Sequence, residues 1–385
     1  MPLIVQKFGG TSLEGISRVL NAAEIVYKEW EKGSQVVVVV SAMAGVTNQL
    51  VDFVKALEGD SQNPESDAVI STGEQITAGL LSLALQQKGI QSRSWTGPQV
   101  PIMTDGHHGE ADILSIHGEA LHQFLATGGI SVVTGFQGLS PEGRVTTLGR
   151  GGSDTTAVAL AAFLKADRCD IYTDVEGVYT ADPRLVADAQ KIDTLSYDEM
   201  LALSEHGAKV LHPRAVYYAQ KYGVPVRVLS SFTFQPGTLI SFQTSGPQPL
   251  FGLTYTLGWV LVESKKPLNF QAEGGRKIVY HPCSKNSSYL AVLSGQNLKT
   301  EQEKSLTEIK ILNDNLASVS VVNGALDKHG MKTLRMRFLK TLSDSELPPF
   351  YMQATSSLHW QLWFDQEDLP TALGLIHRRL QGTSV

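Results

Sequence analysis

Over roughly the first 240 residues, apolar positions fall into two alternating rhythms, short continuous runs and longer stripes at helical spacing. Leu3 to Gln6 reads as a strand, and Ile16, Val19, Leu20, Ala23, Val26 and Trp30 then recur as one face of a helix until Gly33 stops it. Val36 to Val40 is a run of valines suited to a strand buried on both faces. The same order continues through a helix-like Glu74 to Gln87, a strand-like Ile90 to Trp95, a helix-like Asp112 to Ala126 and a strand-like Ile130 to Thr134. After Thr155 to Leu164 (helix) and Cys169 to Thr173 (strand), Tyr197 to Glu205 and Lys209 to Tyr222 read as helices. Pro213 should delay or kink the second, and Val226 to Leu229 returns as a strand. Such βαβα order predicts an α/β fold, an open, mainly parallel sheet sandwiched by helices.

The rhythm changes near residue 241. Thr244, Ser245, Gly246, Pro247 and Pro249 form a turn-rich boundary, which predicts one domain over 1–241 and a second over 250–385. In the second, Leu316 to Val322, Leu334 to Leu342, His359 to Phe364 and Leu369 to Leu380 spell β-α-β-α. That suits a small α+β ferredoxin-like module. Gln296 to Glu308 is polar and fits either a helix or a linker.

Composition narrows the classes. With 42% hydrophobic and 18% charged residues among 385, the chain is an ordinary globular one, and its net charge of −6 offers no electrostatic footprint for nucleic acid. No apolar run approaches the length of a membrane span, and MPLIVQKFGG enters a strand without the pattern of a secretory signal, so a cytoplasmic protein is expected. Cys169 and Cys283 are too few for a disulfide framework.

Two glycine-rich turns carry the chemistry. Lys7-Phe8-Gly9-Gly10-Thr11-Ser12 lies between a strand and a helix, where backbone N–H groups can close on phosphate oxygens and Lys7 adds positive charge. The lysine precedes the glycines, so this is not a Walker A loop; the plain alternative is a strand-to-helix turn with a snorkelling lysine. Thr147-Leu148-Gly149-Arg150-Gly151-Gly152-Ser153-Asp154-Thr155-Thr156 is the second turn. Arg150 offers a fork for a carboxylate, and Asp154 a partner for an ammonium or a lysine, or merely a helix cap. Two anion cradles in one domain suggest two anionic reactants. His108, His117 and His122 near Glu110 and Glu119 match no zinc spacing, and Trp360, Trp363 and Phe364 read as core rather than a stacking platform.

With these turns in view, the chain resembles the aspartate kinases of the amino acid kinase family. KFGGTS at Lys7, VSAMAGVT ending at Thr47, STGEQ around Glu74, GFQG at Phe136, LGRGGSDTTA around Arg150, YTDVEGVYTADPR from Tyr172 and GAKVLHPRA from Gly207 occur in the family's order, covering Met1 to about Leu239. The resemblance implies transfer of the ATP γ-phosphoryl group to the β-carboxylate of L-aspartate, giving 4-phospho-L-aspartate, the first step toward lysine, threonine and methionine. Carried over, Lys7 and Asp154 are catalytic, with Lys7 steadying the transferring phosphoryl and Asp154 holding it in register. Ser41, Thr47, Glu74, Arg150, Gly151, Gly152 and Ser153 resemble the amino-acid site, with Glu74 on the ammonium and Arg150 on the α-carboxylate. Lys7, Phe8, Gly9, Gly10, Thr173, Asp174, Tyr179, Asp182, Arg184, Lys209 and Val210 resemble the ATP site. Mg²⁺ would be held mainly by ATP oxygens and water, with no protein metal ligands.

The second domain departs from the family's tandem ACT modules. A second module over about 316–382 is recognisable, with the Lys328-His329-Gly330-Met331 turn. The first is eroded: Trp259 to Ser264 resembles its opening strand, but Lys265-Lys266-Pro267 and Gly274-Gly275 replace the usual turn and helix. This puts amino-acid feedback in doubt, while assembly into a homodimer or higher homo-oligomer through this domain is still expected. Two other readings compete: a kinase of the same fold acting on glutamate, a nucleotide or a carbamate, and a silent amino-acid-binding subunit.

Overall fold

The computed structural model describes residues 1–60, 62–233, 235–242, 251–264, 279–283, 288–294, 309–323, 347, 351–354 and 359–381. Two compact units divide the chain: one takes 1–178, 191–204 and 209–246, the other 179–190, 205–208 and 247–385.

The first unit begins with β1 (Leu3–Phe8), α1 (Gly15–Glu31) and β2 (Gln35–Val40), then three helices, α2 (Val46–Ala56), α3 (Pro64–Ile70) and α4 (Thr72–Gln87). Next come β3 (Ser92–Trp95), β4 (Ile102–Thr104), β5 (Ile113–Ile116), α5 (Glu119–Ala126), β6 (Ile130–Thr134), β7 (Gln137–Leu139) and β8 (Val145–Thr147). It continues with α6 (Gly152–Leu164), β9 (Arg168–Thr173), β10 (Thr194–Ser196), α7 (Tyr197–Glu205), α8 (Pro213–Tyr222), β11 (Val226–Ser230) and β12 (Thr238–Ser241). Eight strands form one sheet in the order β10-β12-β11-β9-β1-β2-β6-β3, parallel throughout except between β11 and β12. A four-stranded sheet, β5-β4-β7-β8, stands beside it.

Strand alternation explains how this sheet is covered. Val36, Val38 and Val40 join Ile130 and Val132 in one cluster with Val19, Ala22, Ala23 and Val26 of α1 and Ala78, Leu81 and Leu85 of α4. Val37 and Val39 are also fully buried, so they face the opposite side, where α6 packs on β1, β2 and β9. That double burial is why the valine run shows no polar alternation. α6 is correspondingly buried around almost its whole circumference.

Three expectations change in detail. Asp112 to Ala126 is not one helix: Ile113–Ile116 pairs with β4 as a strand, and the helix starts only after Gly118, whose Cα sits against the ring of Phe163. Lys209 to His212 stays outside α8, because Pro213 occupies the first helical position, where its missing N–H costs nothing. The apolar stretch 64–87 is long and apolar enough to cross a membrane by composition. Half of it is buried within the protein, and it is two helices meeting at Ser71.

The second unit holds a six-stranded antiparallel sheet. Its strands β13 (Phe251–Ser264), β14 (Val279–Cys283), β15 (Ser288–Ser294), β16 (Ile309–Asn323), β17 (Tyr351–Ala354) and β18 (His359–Asp365) stand in the order β14-β15-β13-β16-β18-β17. Leu253, Val319, Val321, Trp360, Leu362 and Phe364 pack with Leu369, Leu373, Ile376 and Leu380 of the helix Leu369–Gln381, and with Ala181 and Val186 from the segment 179–190. Trp259 and Trp363 meet edge to face at 5.9 Å. The tryptophans therefore build core, as their alternating spacing predicts. Trp259 to Ser264 is the end of a 14-residue strand. The Thr244 to Pro249 boundary, Lys265 to Pro267, Gly274 and Gly275, Gln296 to Glu308, the Lys328 to Met331 turn and Leu334 to Leu342 lie outside the described residues.

Candidate active site

Chain topology marks the place where a site can form. β1 is the centre of the large sheet: the chain winds outward to β2, β6 and β3 on one side, then returns to build β9 and β11 on the other. The carboxyl ends of β1, β2, β6 and β9 lie there, at the edge where open α/β sheets bind ligands.

Lys7 is placed at this end of the sheet by strand alternation. Phe8 belongs to the cluster under α1 and α4 and stacks on Tyr172 with ring centres 4.7 Å apart. Lys7 therefore points to the other face, where α6 begins, and its Nζ lies 2.6 Å from Asp154 Oδ1. Both residues are only 9% exposed. The contact is a close ion pair without hydrogen-bond alignment, since Asp154 Oδ1 is buried with no hydrogen-bond partner. A buried cation so placed can turn toward a phosphoryl oxygen while its partner holds it in position.

Glycines let three loops approach. A Cβ on Gly10 would stand 3.0 Å from Ala42 O, and one on Gly135 would stand 2.7 Å from Ser153 Cβ and Oγ. Gly9 differs from the expectation that its amide is offered to phosphate: its N–H donates to Tyr172 O at 3.1 Å, so the turn is closed on β9 by a backbone bond. A Cβ there would meet Lys7 Nζ only at an ordinary 3.5 Å.

Glu74 enters from the first turn of α4. It is 3% exposed; Oε1 accepts the Ala42 N–H at 2.9 Å, and Oε2 is buried without a partner. Burial pushes its carboxyl up to about 7, against the pull of the Ala42 and its own backbone N–H groups. An orphaned, desolvated carboxylate oxygen is a receptor for a cationic ligand group. Ser41 sits beside it, its carbonyl accepting Thr77 Oγ1 at 2.8 Å, while Thr47 lies in the first turn of α2.

Arg150 stands exposed in a turn between Gly149 and Gly151, both in the left-handed region with φ near 70°. Gly151 is obligatory on two grounds, since a Cβ there would also fall 2.2 Å from His212. Gly152 and Ser153 open α6 and lead into Asp154. His212 was not singled out by sequence reasoning. It caps α8, accepting the Arg214 N–H at Nδ1, and burial, helped by the Arg214 and Arg150 charges, holds it below the usual histidine range despite the opposing pull of Asp154.

The expected nucleotide residues are spread more widely. Thr173 ends β9 and Asp174 follows it next to the Gly9 turn, with Thr173 Oγ1 donating to Asp174 at 3.2 Å. Lys209 is exposed and Val210 half-buried just ahead of α8. Tyr179, Asp182 and Arg184 belong to the second unit, where Arg184 grips Asp182 through Nε and Nη2 and Tyr255 donates to the same carboxylate. The geometry thus unites Lys7, Asp154, Gly10, Ser41, Glu74 and Ser153. The residues expected at the nucleotide are divided between the two units. His108 holds a structural post, with Nδ1 2.7 Å from Asp67.

The chain, a parallel sheet with a buried Lys–Asp pair and an orphaned carboxylate at its switch point, belongs to the amino acid kinase family, whose model matches residues 2–230. It is 52% identical over 254 residues to an aspartate kinase of Pseudomonas fluorescens, covering 65% of this chain and 62% of that protein. Over 250 residues it is 53% identical to aspartokinase 2 of Bacillus subtilis, covering 65% and 61%. The matched stretch thus spans about three fifths of the length of these curated relatives. Among solved structures it resembles E. coli aspartokinase III in complex with aspartate and ADP, with a TM-score of 0.75, 25% identity, and 98% and 99% of the two chains covered.

Proposed function

We propose that this chain is an aspartate kinase, transferring the γ-phosphoryl group of ATP to the β-carboxylate of L-aspartate. The observation that carries the reading is the pairing, at one switch point, of a buried cation at Lys7 with the unpartnered buried oxygen of Glu74. The first suits a phosphoryl group and the second an ammonium. A carboxyl oxygen of aspartate forms the new bond to the γ-phosphorus as the bond to the β,γ-bridging oxygen breaks and ADP leaves; no proton need move, because the acceptor is already ionised. Lys7 offsets the charge spread over the phosphoryl oxygens, Asp154 keeps Lys7 in register, Glu74 binds the ammonium and Arg150 the α-carboxylate. Ser41, Thr47 and Ser153 line the amino-acid side, and Thr173, Asp174, Lys209 and Val210 serve the nucleotide. Magnesium would be held mainly by the oxygens of ATP and by water, as a small hard ion prefers. Assembly as a homo-oligomer through the second unit belongs to the same proposal.

Purified protein with ATP and hydroxylamine should form the hydroxamate of aspartate, and ADP release should be strongest with aspartate in a panel including glutamate, UMP and carbamate. ADP release with another acceptor and none with aspartate would replace this reading by a sister kinase. No turnover with any of them would favour a silent binding subunit.

A further inference from the structure

We infer that Asp67 and Arg214 are positioning residues that clamp the Arg150 turn from two sides, so that its guanidinium is presented to the α-carboxylate of the amino-acid substrate. The inference rests on the proposed role of Arg150. Asp67, on α3, is fully buried and gathers four donors: Thr147 Oγ1 at 2.5 Å, Thr147 N–H at 3.0 Å, Gly109 N–H at 3.2 Å and His108 Nδ1 at 2.7 Å. A carboxylate has about that many acceptor sites, so its capacity is filled. Thr147 is the last residue of β8, three before Arg150. The loop His108 to Asp112 runs along it, with the Ala111 N–H donating to Thr147 O at 2.9 Å and Gly109 O lying against Gly149.

Arg214 closes the other side. Its Nη1 donates to Leu148 O at 2.7 Å, and its Nη2 to Ala111 O and to Asp112 Oδ1. One guanidinium therefore bridges the residue that enters the turn and the loop that Asp67 anchors. Its neighbour His212 fills the space beneath Gly151. Arg150 itself is exposed in a segment where two glycines have left-handed backbone, a conformation that neither sheet nor helix imposes. Something outside the turn must hold it, and these two side chains meet that need.

The test uses the full chain with Thr147→Val, Asp67→Asn and Arg214→Lys, alone and in an Arg150→Ala background. Hydrogen exchange of 147–152 should quicken in each variant while 3–13 stays as in the parent. The aspartate KM should rise about tenfold or more, the loss of one charge-assisted hydrogen bond, with the ATP KM within about twofold. In the Arg150→Ala background the same changes should add almost nothing, because they act through Arg150. Unaltered exchange in Thr147→Val and Arg214→Lys would overturn the inference even if Asp67→Asn fails to fold. Equal rises in both KM values, or full additivity with Arg150→Ala, would overturn it as well. Should the parent protein not phosphorylate aspartate, the functional reading fails and the exchange of 147–152 alone decides the clamp.

Discussion

The two glycine-rich turns of the first unit look alike in sequence and are held in different ways. Lys7 lies on the central strand of an eight-stranded sheet, so its backbone is fixed by ladders on both sides, to β2 and to β9. Arg150 lies in a left-handed turn whose neighbours are gripped by side chains from α3 and α8. The residue proposed to act on the transferring phosphoryl is thus built into the most rigid part of the fold. The residue proposed to select the amino acid is hung on loops. Chemistry and selection should therefore fail separately.

The largest expected effect falls on the rigid side. Lys7→Ala should leave the sheet folded and lower turnover by about two or more orders of magnitude, the loss when a preorganised charge at a reacting centre is removed. Near-normal kcat in a folded variant would end the assignment.

On the other side, Glu74→Gln and Arg150→Ala should act mainly through substrate affinity. Losing one charge-assisted contact raises the aspartate KM by roughly 10- to 100-fold and leaves the ATP KM almost unchanged. Steady-state kinetics with each substrate varied in turn would show it; a parallel rise in both would mean that the site has collapsed.

Proton linkage provides a finer probe. Glu74 has its carboxyl raised to about 7, above the unfolded value of 4.5, so in the empty protein its contribution to stability is complete below 4.5 and is lost as pH rises through 7. Ligand binding runs the opposite way, because an ammonium requires the ionised carboxylate. The aspartate KM should climb by up to about tenfold per pH unit below 7, and this slope should vanish in Glu74→Gln. A flat profile in the parent would separate Glu74 from the ammonium.

The smallest expected effect, read by thermal unfolding, comes from an alanine scan of the turn glycines. Gly9→Ala meets only ordinary contacts at 3.5 Å and should cost less than about 1 kcal/mol. Gly151→Ala combines a left-handed backbone with a clash at His212 and should cost about 2–3 kcal/mol or more. Equal costs would dissolve the contrast between the two turns.

Much of this was legible in the order of residues. The valine run and the helical stripes identified a buried parallel sheet with helices on both faces, because burial on two sides removes polar alternation from a strand. Lys7, Arg150 and Asp154 stood out because charged residues in glycine-rich turns have few structural uses, and Glu74 stood out through the family resemblance. Ile113–Ile116 was misread as helix, since three apolar residues within four positions fit either period and only pairing with β4 decides between them.

What the sequence determined by itself was therefore the local: which stretches are strands, which turns need glycine, and which charges lie near the chemistry. Tertiary structure decided how those pieces are held. Asp67 lies 80 positions from Thr147 and Arg214 lies 66 from Leu148, and nothing in their own neighbourhoods announces the bonds that join them. Periodicity reports the face on which a side chain lies, whereas its partner depends on how helices and loops cross, and that is settled only when the whole sheet has closed.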